Sequence, residues 1–356
     1  MDYHLESSYL SARIVSPGES LRERLRAVGM SQAELAQRMG RPIKTINGII
    51  QGKVAITPET ALQLERALGL PAHFWSRQEQ HYRDFLARAQ EAKELAGQVA
   101  WLQEIPVQAM IAQGWIQGCQ DQVEQVREAL NFFGVASPAQ WRSLWSPLFG
   151  RTSTFHTRSA PNGDHPTEGQ PGALAAWLRQ GELEAQKIQC QPYEARLFQQ
   201  ILSQIRGLTR ERLEAAEAQL VALCAGAGIA LVLTPELAET HLQGATRWLT
   251  PHKALLQLKR DRSNAGQVWR TFFHCAGHLL LHGKRELFLE SNPHHGVAER
   301  EEEADRFAAE LLIPSFKLQR FIQQEDYASP AAIQEFAARL GIGPGLVVSR
   351  LQQEQL

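Results

Sequence analysis

Two histidines one helical turn apart in an apolar run set the tightest limit on what this chain can fold into. The stretch is 269-WRTFFHCAGHLLLHGKRELF-288, apolar enough for a buried helix. On a helix His274 and His278 share one face, the arrangement that two zinc ligands need. Zinc peptidases use H-E-x-x-H, in which the glutamate activates the metal-bound water. Here Cys275 follows the first histidine and Ala276 follows it. Three readings stand open: a zinc hydrolase, a zinc site that has lost its chemistry, or two packed core histidines.

A third ligand has to come from elsewhere, and 299-EREEEADRFAAELLIP-314 offers it. The spacing predicts a helix with Phe307, Ala308, Leu311 and Leu312 on its buried face. Glu301 and Asp305 lie four apart and share a face. The small Ala304 and Ala308 beside them allow close approach to the first helix. Glu301 fits as a carboxylate ligand and Asp305 as the group that orients a histidine, with Glu302 and Glu303 as rivals for the ligand role. His282, His294 and His295 are close enough in sequence to approach the site, and are set aside as solvated loop histidines.

The surrounding chain is mainly α with a small antiparallel β-sheet. Residues 17–75 are dense in short helical patterns, and 76–158 are helical and rich in glutamine and tryptophan. The polar stretch 159-SAPNGDHPTEGQPG-172 reads as an exposed loop. Helix signals resume at Ala173, and 208-LTRERLEAAEAQLVALCAGAG-228 carries an apolar stripe. Short alternating or β-branched runs at 229-IALVLT-234, 246-TRWLT-250 and 254-ALLQLK-259 read as the sheet. Three parts are therefore expected: a domain over 1–75, a helical connecting region over 76–172, and an α+β domain over 173–356.

Thirty-seven basic residues balance 38 acidic ones, so any nucleic-acid surface must be local. The four cysteines, at 119, 190, 224 and 275, are scattered without a C-x-x-C pair, which suits reduced thiols. Met1 to Val15 has no apolar core of a signal peptide, and no run of 18 apolar residues occurs. A cytoplasmic protein with no membrane span is the expectation.

A local basic surface is present near the start. From Glu19 to Leu70, eight Lys or Arg stand against five Asp or Glu. Leu21, Leu25 and Val28 form one helical stripe ended by Gly29. Ser31 with Glu34 has the form of a capping box, opening a helix over Leu35, Ala36 and Met39. Gly40 makes the turn, and a further helix starts near Pro42 with Ile46 and Ile49 inward. Gly52 ends it, and Thr57-Pro58-Glu59-Thr60 starts a fourth. This is the pattern of a DNA-binding helix-turn-helix, although a small helical domain for protein contacts shares its periodicity and caps. In the DNA-binding reading, Lys44, Thr45 and Asn47, with Arg41 just before, face the base edges. Gln32 and Lys53 are placed to bond phosphates.

Residues 17–40 and 55-AITPETALQLERALGLPAHFW-75 resemble the HigA-like branch of the Xre family of helix-turn-helix regulators. Arg41 departs from that family, which usually has an apolar residue there. The segments HCAGH and EREEEADRFA resemble the ImmA/IrrE family of metallopeptidase-like domains, whose motifs are H-E-x-G-H and E-x-E-A-N/D-x-F-A. The likeness extends to 173-ALAAWLRQGELEA-185, 244-GATRWLTPHKALLQL-258 and 340-LGIGPGLVVSRLQ-352. It implies a zincin-like domain holding Zn2+ through His274, His278 and an acidic third ligand. Cys275 stands where the family has its general-base Glu. A thiol sulfur ends two bonds short of a glutamate oxygen, so loss of ordinary peptidase activity is expected. The resulting expectation is a regulator, possibly an antitoxin or autorepressor, that binds a double-stranded operator as a homodimer. Its degenerate peptidase-like domain would sense a signal or bind a toxin or repressor protein. The alternative is a zinc-dependent endopeptidase that cleaves a repressor or antitoxin.

Overall fold

The computed structural model describes residues 15–152, 171–237, 240, 242–261, 263–284, 286–291, 299–324, 327–354 and 356. Its contacts divide the chain into two units, one up to Gln98 and one from Val99 onward. The division falls after a helix that continues directly from the N-terminal motif.

The first unit holds α1 (Pro17–Ala27), α2 (Gln32–Met39), α3 (Ile43–Ile50), α4 (Pro58–Leu68) and α5 (Ala72–Ala96). Its helix starts follow from local chemistry. Ser31 Oγ accepts the Glu34 backbone N–H at 3.1 Å, and Thr57 Oγ1 accepts that of Thr60, each satisfying an otherwise orphaned donor. Leu21, Leu35, Ile46, Ile49, Leu64 and Trp75 interlock as the core. Gly18 is required where α1 meets α3: a Cβ there would lie 2.4 Å from the Ile49 carbonyl oxygen. Val28 departs from the expected stripe. It falls just past the end of α1 and is exposed, because the helix closes one residue before it would turn inward.

The second unit begins with a short 3-10 turn, α6 (Val107–Ala112), α7 (Gln122–Phe133) and α8 (Pro138–Thr152), where Trp101, Phe133, Trp141 and Trp145 pack edge to face. Then follow α9 (Pro171–Lys187), α10 (Ala195–Leu208) and α11 (Leu213–Gly226), leading into the sheet. Most of the polar stretch 159–172 lies outside the described residues, and its last two residues open α9.

Four strands form the sheet: β1 (Ile229–Thr234), β2 (Leu242–Thr250), β3 (Lys253–Lys259) and β4 (Phe288–Ser291), in the order β1-β3-β2-β4. The sheet is mixed, which corrects the antiparallel expectation. β2 pairs antiparallel with β3 and β4, but β1 runs parallel to β3, with Ile229 opposite Ala254. The physical reason is two-sided burial. Ile229, Leu231 and Leu233 join the main core, while Ala230 and Val232 pack with Ala185 of α9 on the opposite face. A strand covered on both faces reads as a continuous apolar run, the usual mark of a parallel pairing.

After the sheet come α12 (Ala265–Leu281), α13 (Glu299–Leu312), α14 (Ser315–Gln324), α15 (Pro330–Leu340) and α16 (Pro344–Gln353). α12 lies against the sheet with Phe272, Phe273 and Ala276 fully buried, and α13 packs alongside it. The two helices come close because Gly277 meets Ala304: a Cβ on Gly277 would sit 3.1 Å from Ala304 Cα.

Candidate functional site

Close packing of α12 on α13 brings three donor atoms together. His274 Nε2 and His278 Nε2 are 2.9 Å apart, and Glu301 Oε2 lies 3.2 Å from the first and 3.4 Å from the second. Donors at about 2.0–2.1 Å from a tetrahedral zinc ion are separated by about 3.3–3.4 Å, so this trio fits such an ion. Glu302 is exposed and Glu303 turns elsewhere, so neither joins the trio.

Each histidine is oriented through its other ring nitrogen. His274 Nδ1 is 2.9 Å from Asp305 Oδ1, the carboxylate–histidine pairing that fixes ring and tautomer at metal sites. His278 Nδ1 is 2.9 Å from His282 Nδ1, and His282 Nε2 is 3.1 Å from Glu303 Oε2. His282 is therefore part of the site, although its sequence position suggested a solvated loop. It sits at the C-terminal cap of α12, where the extended backbone turns its ring back along the helix. His294 and His295 lie outside the described residues.

β4 contributes two further side chains. Phe288 stacks on His278 with ring centroids 4.0 Å apart. Glu290, two residues along on the same face of the strand, places Oε2 3.1 Å from His274 Nε2. His274 Nε2 thus faces the Nε2 of His278 and two carboxylate oxygens within 3.2 Å, yet can carry one proton at most. A cation shared by these atoms satisfies all of them at once, and that is the fit test the site passes.

The charges follow the same logic. Burial works against a charged His274, but hydrogen bonds to Asp305 and Glu301 and the charge of Glu290 together push its pKa up to about 10. Burial opposes the ionised form of Glu301, but its bonds to both histidines bring its pKa down to about 2. Burial is also the main reason His278 is lowered and Glu290 raised. A proton on His274 and a cation bound at its Nε2 would compete for the same carboxylates.

Cys275 packs against the sheet. It is 2 % exposed, and its Sγ lies 3.2 Å from where a Cβ on Gly244 of β2 would stand. Burial, and then the charges of Glu290 and Glu301, raise its pKa well above the ordinary thiol value, so the thiol is protonated. A neutral buried thiol against the sheet is neither a thiolate ligand nor a base.

The N-terminal unit displays the other group of candidate residues. Lys44 and Asn47 are exposed on α3, Thr45 is half-buried beside them, and Lys53 is exposed in the turn that follows. Gln32 is the first residue of α2 and half-buried. Arg41 is tied down: its Nε donates to Gln63 Oε1 of α4 at 2.5 Å. Ile43 at the start of α3 is 49 % exposed, unusual for an isoleucine.

Fold and site define a helix-turn-helix DNA-binding domain joined to a metallopeptidase-like domain. Residues 21–75 match the helix-turn-helix family, and residues 232–352 match the IrrE N-terminal-like domain. The chain thus joins a helix-turn-helix region to a region similar to the ImmA/IrrE-type peptidase domain. No curated protein matches the chain. Among solved structures it is similar to an addiction-module antidote protein of the HigA family from Coxiella burnetii, with 30% identity, 24% of this chain and 94% of that one covered, and a TM-score of 0.22. The antitoxin HigA of Pseudomonas aeruginosa, solved with the higBA promoter, is 31% identical over 23% of this chain and 90% of its own, with a TM-score of 0.22. The antitoxin GraA is 30% identical over 24% and 95%, with a TM-score of 0.23.

Proposed function

We propose that this protein is a DNA-binding transcriptional regulator whose peptidase-like domain holds a metal ion and senses a signal or partner without cutting peptides. One observation carries the second half of that reading. The position that follows His274 on α12 holds a buried, neutral thiol packed on Gly244, while the ligand trio around His274 is intact. General acid–base groups contribute roughly 10²–10⁴ in rate, so such a site keeps its metal and loses most of its turnover.

The first half rests on the exposed polar side chains of α3. Lys44, Thr45 and Asn47 reach base edges in the major groove, with Arg41 beside them, while Gln32 and Lys53 bond phosphates. A homodimer reading two half-sites is the expected assembly. An antitoxin that represses its own operon is a special case suggested by the HigA kinship of the N-terminal unit, with a toxin or repressor as protein partner.

The test is binding of the full chain to its own upstream DNA, with and without zinc. Salt-sensitive, sequence-specific binding that zinc alters is the expected result, and absence of specific binding removes the regulator reading. A second reading, a zinc endopeptidase acting on a repressor or antitoxin, is favoured by the converged ligands. Zinc-loaded protein that cleaves such a partner, with the cleavage lost in His274→Ala, would establish it.

A further inference from the structure

Glu290 has no part in the three-residue ligand set, yet one of its oxygens faces that set while the other is buried without a hydrogen bond. It is 6 % exposed, and its Oε1 has no hydrogen-bond partner among the described residues. Arg270 Nη2 forms an ion pair with that oxygen at 3.7 Å, too long for a hydrogen bond. Its other oxygen points at His274 Nε2, a nitrogen that already faces His278 and Glu301. A buried carboxylate oxygen without a hydrogen bond keeps its lone pairs available to a bound cation.

The sheet register shows why the side chain arrives there. Glu290 pairs across β2 with Gly244, and Cys275 lies over that same glycine. α12 packs tightly on that glycine, where a Cβ would meet Thr271 Cγ2 at 2.7 Å, and the long side chain of Glu290 brings Oε2 within 3.1 Å of His274 Nε2. Phe288, on the same face of β4, holds the strand against His278.

We propose that Glu290 is a fourth protein ligand, closing the site formed by His274, His278 and Glu301 into a centre of two histidines and two carboxylates. The proposal rests on the metal-holding reading above. Three donors already lie within 4.8 Å of one another, and Glu290 Oε2 stands 3.1 Å from one of them, His274 Nε2. Two carboxylates with two neutral histidines balance a divalent ion. Four protein ligands make the closed arrangement of a structural or regulatory zinc site, whereas a catalytic site keeps one position open.

The experiment uses the full chain loaded with Co2+ in place of Zn2+, and a chelator competition to measure affinity. Wild type is expected to bind one equivalent with the intense visible absorption of a tetrahedral centre, unchanged by added azide. Glu290→Gln is expected to weaken binding about tenfold to a hundredfold and to make the spectrum azide-sensitive. If Glu290→Gln keeps wild-type affinity and spectrum, the fourth-ligand proposal is overturned while the metal-holding reading survives. If wild type takes up no metal, both fall together. Should Glu290→Gln fail to fold, the wild-type azide titration decides: a spectrum that azide leaves unchanged supports a closed site, and one that azide alters overturns it.

Discussion

His274 Nδ1 and Asp305 Oδ1 are 2.9 Å apart, and this contact across the α12–α13 interface orients the ring whose opposite nitrogen faces the metal position. A histidine without such a partner can rotate and swap tautomers. Asp305→Asn is therefore expected to lower zinc affinity about tenfold to a hundredfold while leaving the helical content unchanged. Chelator competition beside circular dichroism checks both parts.

The interface depends on what is missing from α12 as much as on what it carries. A Cβ on Gly277 would meet Ala304 Cα at 3.1 Å and Phe307 Cδ1 at 3.2 Å. Gly277→Val adds two methyl groups beyond that Cβ and has to drive the helices apart. The expected loss is about 1–3 kcal/mol, read as a lower melting transition by calorimetry. Metal affinity should fall with it, since Glu301 reaches His274 and His278 only when the helices meet.

The metal-free protein should respond to pH through the same residues. His274 has its folded pKa raised from 6.5 to about 10, so its contribution is complete below about pH 6.5 and fades as pH rises through 10. Glu301 has its pKa lowered from 4.5 to about 2, so its contribution is complete above about pH 4.5 and fades as pH falls through 2. Melting of the chelator-treated protein should therefore peak between about pH 4.5 and 6.5. His274→Gln should remove the loss on the alkaline side of that peak.

Much of this site is legible in the sequence because helices repeat every 3.6 residues. That period puts His274 beside His278 and Glu301 beside Asp305 without knowledge of the fold. The same holds for Ser31 and the cap it forms on α2. Glu290 and His282 are different. β4 is four residues long, and its alignment with β2 includes a register shift between Leu242 and Gly244, which no local pattern announces. His282 joins the site only because the backbone leaves the helix in an extended conformation at that residue. The parallel direction of β1 likewise depends on which strand lies beside it. Its unbroken apolar run is the local sign of that direction, and the shorter alternating runs beside it point to an antiparallel sheet.

On the DNA side, base and phosphate contacts predict different signatures. Asn47→Ala should weaken binding to the operator by about 1–3 kcal/mol and relax preference at one base pair. Lys53→Ala should weaken binding to all sequences alike and reduce the slope of log K against log salt by about 0.9. Fluorescence anisotropy across a salt series separates the two. Arg41 is hydrogen-bonded to Gln63, so Gln63→Ala, by freeing that side chain, should alter operator binding less than Asn47→Ala does.

Placing at position 275 the glutamate of the H-E-x-x-H motif is expected to destabilise this chain. Sγ of Cys275 already lies against Gly244, and the charges of Glu290 and Glu301 both act on it. Cys275→Glu would press a longer, acidic side chain on the tightly packed Gly244 and bring a second buried carboxylate into the field of Glu290. One of them has to stay protonated or move. Overpacking alone should lower stability by about 1–3 kcal/mol, and charge repulsion adds to it. Cys275→Glu with Glu290→Gln removes the repulsion, so the pair should be more stable than the sum of the two single changes predicts, by about 0.5–3 kcal/mol. Melting of the four proteins in one buffer, chelator-treated, gives that coupling directly. Simple additivity would mean that the two side chains do not interact.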